Sequence, residues 1–156
     1  CSSDLRAYID GKPAGRRALT RATFDTSDHV HYDAPVYNDT LIDPAVQGSM
    51  LRLTSSRDDE TGRRSRILFS NPAHLRARYR LTVRLSHDEG RTWPYQRVID
   101  IGPASYSDLV VQADGQIGVL YERGNQGGIV YAAFTLDWLT QGADSLRGET
   151  ESENYG

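Results

Sequence analysis

Eight residues, Ser86-His87-Asp88-Glu89-Gly90-Arg91-Thr92-Trp93, constrain the fold of this chain more than any other stretch. They read S-x-D-x-G-x-x-W, with strand-like sequence on both sides. A serine and an aspartate two positions apart can hydrogen-bond turn backbone amides and so hold a chain reversal in place. Gly90 supplies a positive φ that other residues reach only with strain. Trp93 is large enough to pack the turn back onto its strands. The pattern specifies a folded β-hairpin, and Ser86, Asp88, Gly90 and Trp93 read as structural residues, since a fold signature is not a site.

The rest of the chain reads as mostly β. Candidate strands are 18–24, 49–54, 66–70, 81–86, 96–101, 107–112, 117–122 and 129–136. Most are short and rich in Val, Ile, Leu, Thr or Tyr, and turn residues such as Asp114-Gly115 and Gly124-Asn125 separate them. No segment sustains a 3.6-residue apolar period. Asp137-Trp138-Leu139 is a place for a short terminal turn. Domain organisation follows: residues 1–140 form the folded part, and 141–156 form a polar tail, with 147–156 lacking large aliphatic residues.

The strands repeat. Segments 49–54, 66–70 and 81–86 precede the octapeptide, and 96–101 follows it. Segments 107–112, 117–122 and 129–136 repeat the first three about sixty residues later, within the range of repeat architectures once loops are allowed for. Before Ser49, strand 18–24 followed by Asp25-Thr26-Ser27-Asp28 and Tyr32 reads as a degraded copy of the same turn. Units of four short strands suggest propeller blades. The octapeptide resembles an Asp-box, the hairpin signature of many β-propellers. The expected fold class is all-β, an incomplete propeller of about two to two and a half blades, where a closed ring needs at least about four. Its unpaired blade faces should expose apolar surface.

Composition narrows the function classes. The formal net charge is -3, so there is no footprint for nucleic acid. No run of about 18 apolar residues exists to cross a membrane as a helix. Cys1 is the only cysteine, which excludes a disulfide framework within the chain. Lys12 is the only lysine, a skew that reads first as a bias toward arginine. His29 and His31 alternate without a third ligand close in sequence, so no metal site is expected. Asp58-Asp59-Glu60 reads as a solvated hairpin tip rather than a calcium loop.

Three further segments carry a resemblance. Gly102-Pro103-Ala104-Ser105-Tyr106-Ser107-Asp108-Leu109, Leu120-Tyr121-Glu122 and Asn71–Ser86 around the octapeptide resemble the C-terminal part of an exo-α-sialidase of the Asp-box family. The resemblance implies a six-bladed propeller and release of terminal sialic acid from glycoconjugates with retention. It places Tyr106 at the nucleophile. A tyrosine suits this chemistry because the anomeric carbon of sialic acid bears a carboxylate. A neutral phenol approaches it without the repulsion an Asp or Glu would meet, and sialidases depart from the two-carboxylate scheme in this way. A phenol with a pKa of about 10 needs a partner base.

Among the arginines before the Asp-box, Arg78 best matches one that clamps the substrate carboxylate, with Arg76 and Arg80 as alternatives. An arginine fork can bind a carboxylate through two parallel hydrogen bonds. Arg6 is the second clamp candidate, and Arg16 and Arg17 are expected to flank the next strand. Glu122 matches a glutamate that orients the first clamp arginine. The family's acid/base Asp, Tyr-activating Glu and first clamp Arg are expected upstream of Cys1.

The chain alone is therefore expected to be an inactive C-terminal fragment whose partners are a sialylated glycan and the N-terminal blades. The resemblance implies no cofactor and favours a secreted or cell-surface protein, although no signal peptide is visible. One rival is a non-catalytic Asp-box propeller that binds carbohydrate. Another is an Asp-box glycosidase with paired carboxylates, for which no convincing Asp/Glu pair accompanies the tyrosine.

Overall fold

A computed structural model describes residues 5–9, 12–27, 29–55, 64–124 and 127–146, with side chains from residue 15 onward. Asp58-Asp59-Glu60, Cys1 and residues 147–156 lie outside the described residues. Among the described residues, twelve strands and one short helix follow one another. They are β1 (Leu5–Ile9), β2 (Lys12–Leu19), β3 (Ala22–Phe24), β4 (Val30–Tyr32), β5 (Val36–Ile42), β6 (Ser49–Thr54), β7 (Arg66–Pro72), β8 (Tyr79–Ser86), β9 (Tyr95–Pro103), β10 (Ser107–Val111), β11 (Ile117–Glu122), β12 (Ile129–Phe134) and α1 (Leu136–Thr140).

All pairing is antiparallel. The order is β1-β2-β5 in one sheet, β6-β7-β8-β9 in a second and β10-β11-β12 in a third, with β3-β4 as a separate ribbon. This is a partial propeller: consecutive antiparallel blades and no closed barrel.

The four-stranded sheet is the central blade. Alternate residues of a strand point to opposite faces, and here both faces are covered. Leu68, Leu81, Val83 and Leu85 pack on one side against Leu109, Ile117, Val119, Phe134 and Leu139. Ile67 and Phe69 pack on the other with Leu41 and Trp93. Every residue of β7 is buried.

The Asp-box folds as its residues dictate. Ser86 Oγ donates to Asp88 Oδ1 at 2.8 Å and accepts the Gly90 amide at 2.9 Å. Asp88 also accepts the Thr92 amide at 2.8 Å and its hydroxyl at 2.6 Å. Burial opposes ionisation of Asp88, but these donors outweigh it and hold the carboxyl below its usual range. Gly90 has φ 84°. Trp93 is buried, with its ring 6.0 Å from that of Phe69.

Three expectations are corrected. Segment 18–24 is not one strand: β2 ends at Leu19, and β3 turns away into the ribbon with β4. Asp25 does cap that ribbon's turn, accepting the Ser27 and His29 amides at 2.7 and 3.0 Å, but the ribbon stands apart from the blade sheets. Arg16 and Arg17 lie inside β2 rather than beside it, and Arg17 is fully buried. The folded part extends past 140. Asp144 accepts a two-pronged bond from Arg66, at 2.9 Å from Nε and 2.7 Å from Nη2, and lies 2.8 Å from His87 Nε2. Leu146 packs on the core. A buried ion pair thus ties this segment to the central blade.

Strand β5 was not anticipated. Asn38-Asp39 in its middle look like turn formers, and the β2–β5 register does shift there. Asn38 reconciles the two by bonding the Thr40 amide at 3.0 Å and the Arg91 carbonyl at 3.2 Å.

Candidate functional site

The site forms where β9 passes to β10. Chain reversal at Gly102–Tyr106 is secured from three directions by bonds to its backbone. The Gly102 amide donates to Asp100 Oδ1 at 2.7 Å, and the Ala104 amide to the Arg78 carbonyl at 2.9 Å. The Ser105 amide donates to the Glu122 carbonyl at 2.9 Å, and the Glu122 amide returns to the Tyr106 carbonyl at 3.0 Å. Ala104, Ser105 and Ser107 are buried, whereas Tyr106 between them is 45% exposed. A side chain that projects from so firmly held a backbone is presented rather than packed.

Arg78 reaches the same spot from the loop between β7 and β8. His74 Nδ1 holds that loop by accepting the Arg76 and Ala77 amides at 3.2 and 2.9 Å, and the Ala73 amide closes it onto the Arg80 carbonyl at 2.9 Å. Arg78 Nη1 donates to Ser105 Oγ at 3.0 Å, and its guanidinium carbon lies 5.3 Å from the Tyr106 ring centroid. That is within cation–π range. Arg76 and Arg80 are exposed nearby. Arg84 is buried and donates to Asn71 Oδ1 at 2.8 Å. The structure therefore brings Arg78 onto Tyr106 and points Arg84 elsewhere.

Glu122 closes β11 and lines the same hollow as Tyr106, with Gln47, Asp108 and Leu120. Its carboxylate makes no hydrogen bond or ion pair among the described residues. Next to it, Tyr121 donates to Asp100 Oδ2 at 2.8 Å, and Arg123 Nε lies 3.1 Å from the same oxygen. Burial and the Asp100 bond push the Tyr121 phenol up to about 12, so it stays protonated. Burial opposes ionisation of Asp100, yet the Gly102 amide, the Tyr121 hydroxyl and the Arg123 charge keep its carboxyl low. Arg6 lies in β1 opposite Arg17, and its side chain is outside the described residues.

His29 and His31 both face Asp25, at 3.6 and 3.3 Å. Among the described residues no group of three His, Cys, Asp or Glu could hold a metal ion. No described helix is long and apolar enough to cross a membrane.

Two clusters escaped the sequence reading. Arg17 Nη2 pairs with Asp43 Oδ2 at 2.8 Å and bonds the Val46 carbonyl, with its guanidinium over the Phe69 ring. Arg84 lies in the field of the same aspartate, and burial lowers its pKa to about 10 against that attraction. Arg84 Nε and Trp93 Nε1 have no hydrogen-bond partner among the described residues. The second cluster is Gln47, Ser49 and Ser70 along the start of β10. Neither had a local signal: Asp43 lies 26 positions from Arg17, just after the neighbouring strand β5, and the partners of β10 come from another sheet.

No protein-family model matches the chain. It is 34% identical over 137 residues to a sialidase of Micromonospora viridifaciens, covering 88% of this chain and 21% of that protein. It is 27% identical over 161 aligned positions to an exo-alpha-sialidase of Aspergillus fumigatus, covering 91% of this chain and 37% of that protein. The chain thus spans about a fifth to just over a third of the curated relatives it matches. Its fold matches the leech intramolecular trans-sialidase with a TM-score of 0.64, at 19% identity, over 82% of this chain and 22% of that one. It also matches the intramolecular trans-sialidase from Ruminococcus gnavus with a TM-score of 0.63, at 21% identity, over 81% of this chain and 29% of that one. In sequence and in fold, this chain is a sialidase-like piece of a β-propeller.

Proposed function

We propose that this chain supplies the C-terminal blades of a glycoside hydrolase that releases terminal sialic acid with retention, using Tyr106 as nucleophile. The observation that carries the reading is the pairing of Tyr106 with Arg78 at 5.3 Å, with Tyr106 exposed on a firmly held turn. Arg78 would fork the substrate carboxylate and set the anomeric carbon against the phenol oxygen. Arg6 would add a second fork, and Glu122 would orient a further arginine. As the Tyr106 oxygen bonds the anomeric carbon, its proton passes to a carboxylate base. The glycosidic bond breaks, and the leaving oxygen takes a proton from a general acid. Water then displaces the tyrosine, and two inversions give retention.

The base, the acid and the third arginine would come from blades upstream, so the 156-residue chain by itself is inactive in this reading. The open face of β10–β12 supports it. Val110, Leu120, Ile129 and Tyr131 are exposed there, an apolar surface suited to an adjoining blade.

The deciding experiment assays sialoside cleavage by the chain joined to its upstream blades, with Tyr106→Phe in parallel. Retaining cleavage that falls by about 10³-fold or more in Tyr106→Phe is expected. A well-folded extended protein without cleavage would favour a carbohydrate-binding propeller, and hydrolysis by the isolated chain would end the fragment reading.

A further inference from the structure

Strand β10 is the edge of its sheet, with β11 on one side only. In an antiparallel pair, hydrogen-bonding groups alternate between facing the partner and facing away. The Ser105 amide and the Tyr106 carbonyl point to Glu122 on β11, so the amide and carbonyl of Ser107 face the open side. Unpaired groups at a buried edge carry a desolvation cost.

Gln47, from the segment before β6 in the central blade, meets both groups. Its Oε1 accepts the Ser107 amide at 3.1 Å, and its Nε2 donates to the Ser107 carbonyl at 3.1 Å and to the Gly48 carbonyl at 3.1 Å. One side-chain amide thus acts as a one-residue surrogate strand. The next outward-facing amide, on Leu109, is met by Ser49 Oγ at 3.1 Å, and Ser49 also donates to Asp108 Oδ1 at 2.8 Å. Ser70 Oγ lies 2.9 Å from Ser107 Oγ. The residue after Tyr106 is gripped through main chain and side chain by another blade, while Tyr106 itself stays exposed.

We propose that Gln47 is a positioning residue for the tyrosine: its amide clamps Ser107 and thereby sets where the Tyr106 phenol stands relative to Arg78. The catalytic half of this inference rests on the sialidase reading above; the clamp itself does not. The clamp needs a group that donates and accepts at once, as a primary amide does at any pH near neutrality. In Gln47→Glu, an ionised carboxylate could accept the Ser107 amide but would oppose the carbonyl, whereas a protonated carboxyl could serve both.

The test uses Gln47→Ala and Gln47→Glu in two settings. In the 156-residue chain, amide hydrogen exchange is followed at Ser107, with Val83 of the central blade as reference. Exchange at Ser107 at least about 10-fold faster in Gln47→Ala, with Val83 unchanged, is expected once the acceptor is lost. Unchanged exchange at Ser107, or equal acceleration at Val83, overturns the clamp whatever the reaction is.

In the protein extended by its upstream blades, Gln47→Ala should lower kcat by about 10- to 100-fold with KM little changed, as for a misplaced reacting group. The activity of Gln47→Glu relative to wild type should rise as pH falls from about 7 toward the glutamate range near 4.3. A rise in KM alone, an unaltered kcat or a pH-independent ratio overturns the positioning role. If wild type is inactive, or Tyr106→Phe is as active as wild type, the sialidase reading fails with its catalytic half, and hydrogen exchange alone decides the clamp.

Discussion

The central blade, β6–β9, and the last sheet, β10–β12, are built from similar sequence but sit in different surroundings. Leu68 and Leu85 of the central blade are fully buried. Leu120 and Ile129 of the last sheet are 43% and 74% exposed, although they are as apolar. A blade becomes a core element only when sheets cover both of its faces. The last sheet has one neighbour, so its inner face builds the core and its outer face is left apolar and open. That difference explains how a chain of this kind can fold locally and still present surface suited to another blade.

The comparison can be broken most strongly at Arg66. Its pair with Asp144 is buried on both sides and locks the segment after α1 to the central blade. Arg66→Ala strands a buried carboxylate and should cost about 3–5 kcal/mol in urea unfolding. Burial opposes ionisation of Asp144, but Arg66 and His87 hold its carboxyl below the usual range. A carboxyl depressed by folding adds stability above its unfolded value of about 3.9, and that stability is lost as pH falls through the lower folded value. Wild type should therefore lose stability in acid more steeply than Asp144→Asn.

A smaller effect sharpens the same comparison. Leu85→Ala should cost about 2–5 kcal/mol, because it opens a cavity between two sheets. Leu120→Ala should change stability by no more than about 0.5 kcal/mol, as exposed substitutions generally do. Equal costs at the two positions would mean that the outer face of β10–β12 is covered in solution.

A loss smaller than that at Leu85 is expected in the turn between β8 and β9. Gly90→Ala places a side chain at φ 84°, while its new Cβ would meet Leu19 and Trp93 at ordinary contact distances. The cost is conformational, about 1–2 kcal/mol. Gly115→Ala, at φ 80° with open space around it, should cost about the same by thermal unfolding. A much larger loss at Gly90 would mean that packing rather than φ governs the turn.

Legibility followed the range of the interactions. The Asp-box could be read because Ser86, Asp88 and Thr92 bond one another within a few residues. Strands β6 to β12 could be read because their alternation and turn residues are local. Strand β5 could not, since Asn38 and Asp39 carry turn chemistry that only a bulged pairing with β2 absorbs. The segment around Tyr106 stood out by resemblance, yet nothing local showed that Arg78 would lie over its ring.

By itself, then, the sequence determined the elements whose bonds close over short distances: the hairpins and the blade repeat. Tertiary structure decided which groups those elements meet. Gln47 reaches Ser107 across sixty positions. Arg17 meets Asp43 just past the neighbouring strand β5, and Arg66 meets Asp144 across 78 positions. No periodicity marks such pairs. Each is set by how distant segments pack together, and a buried charge or edge amide is tolerated only where that packing supplies its partner.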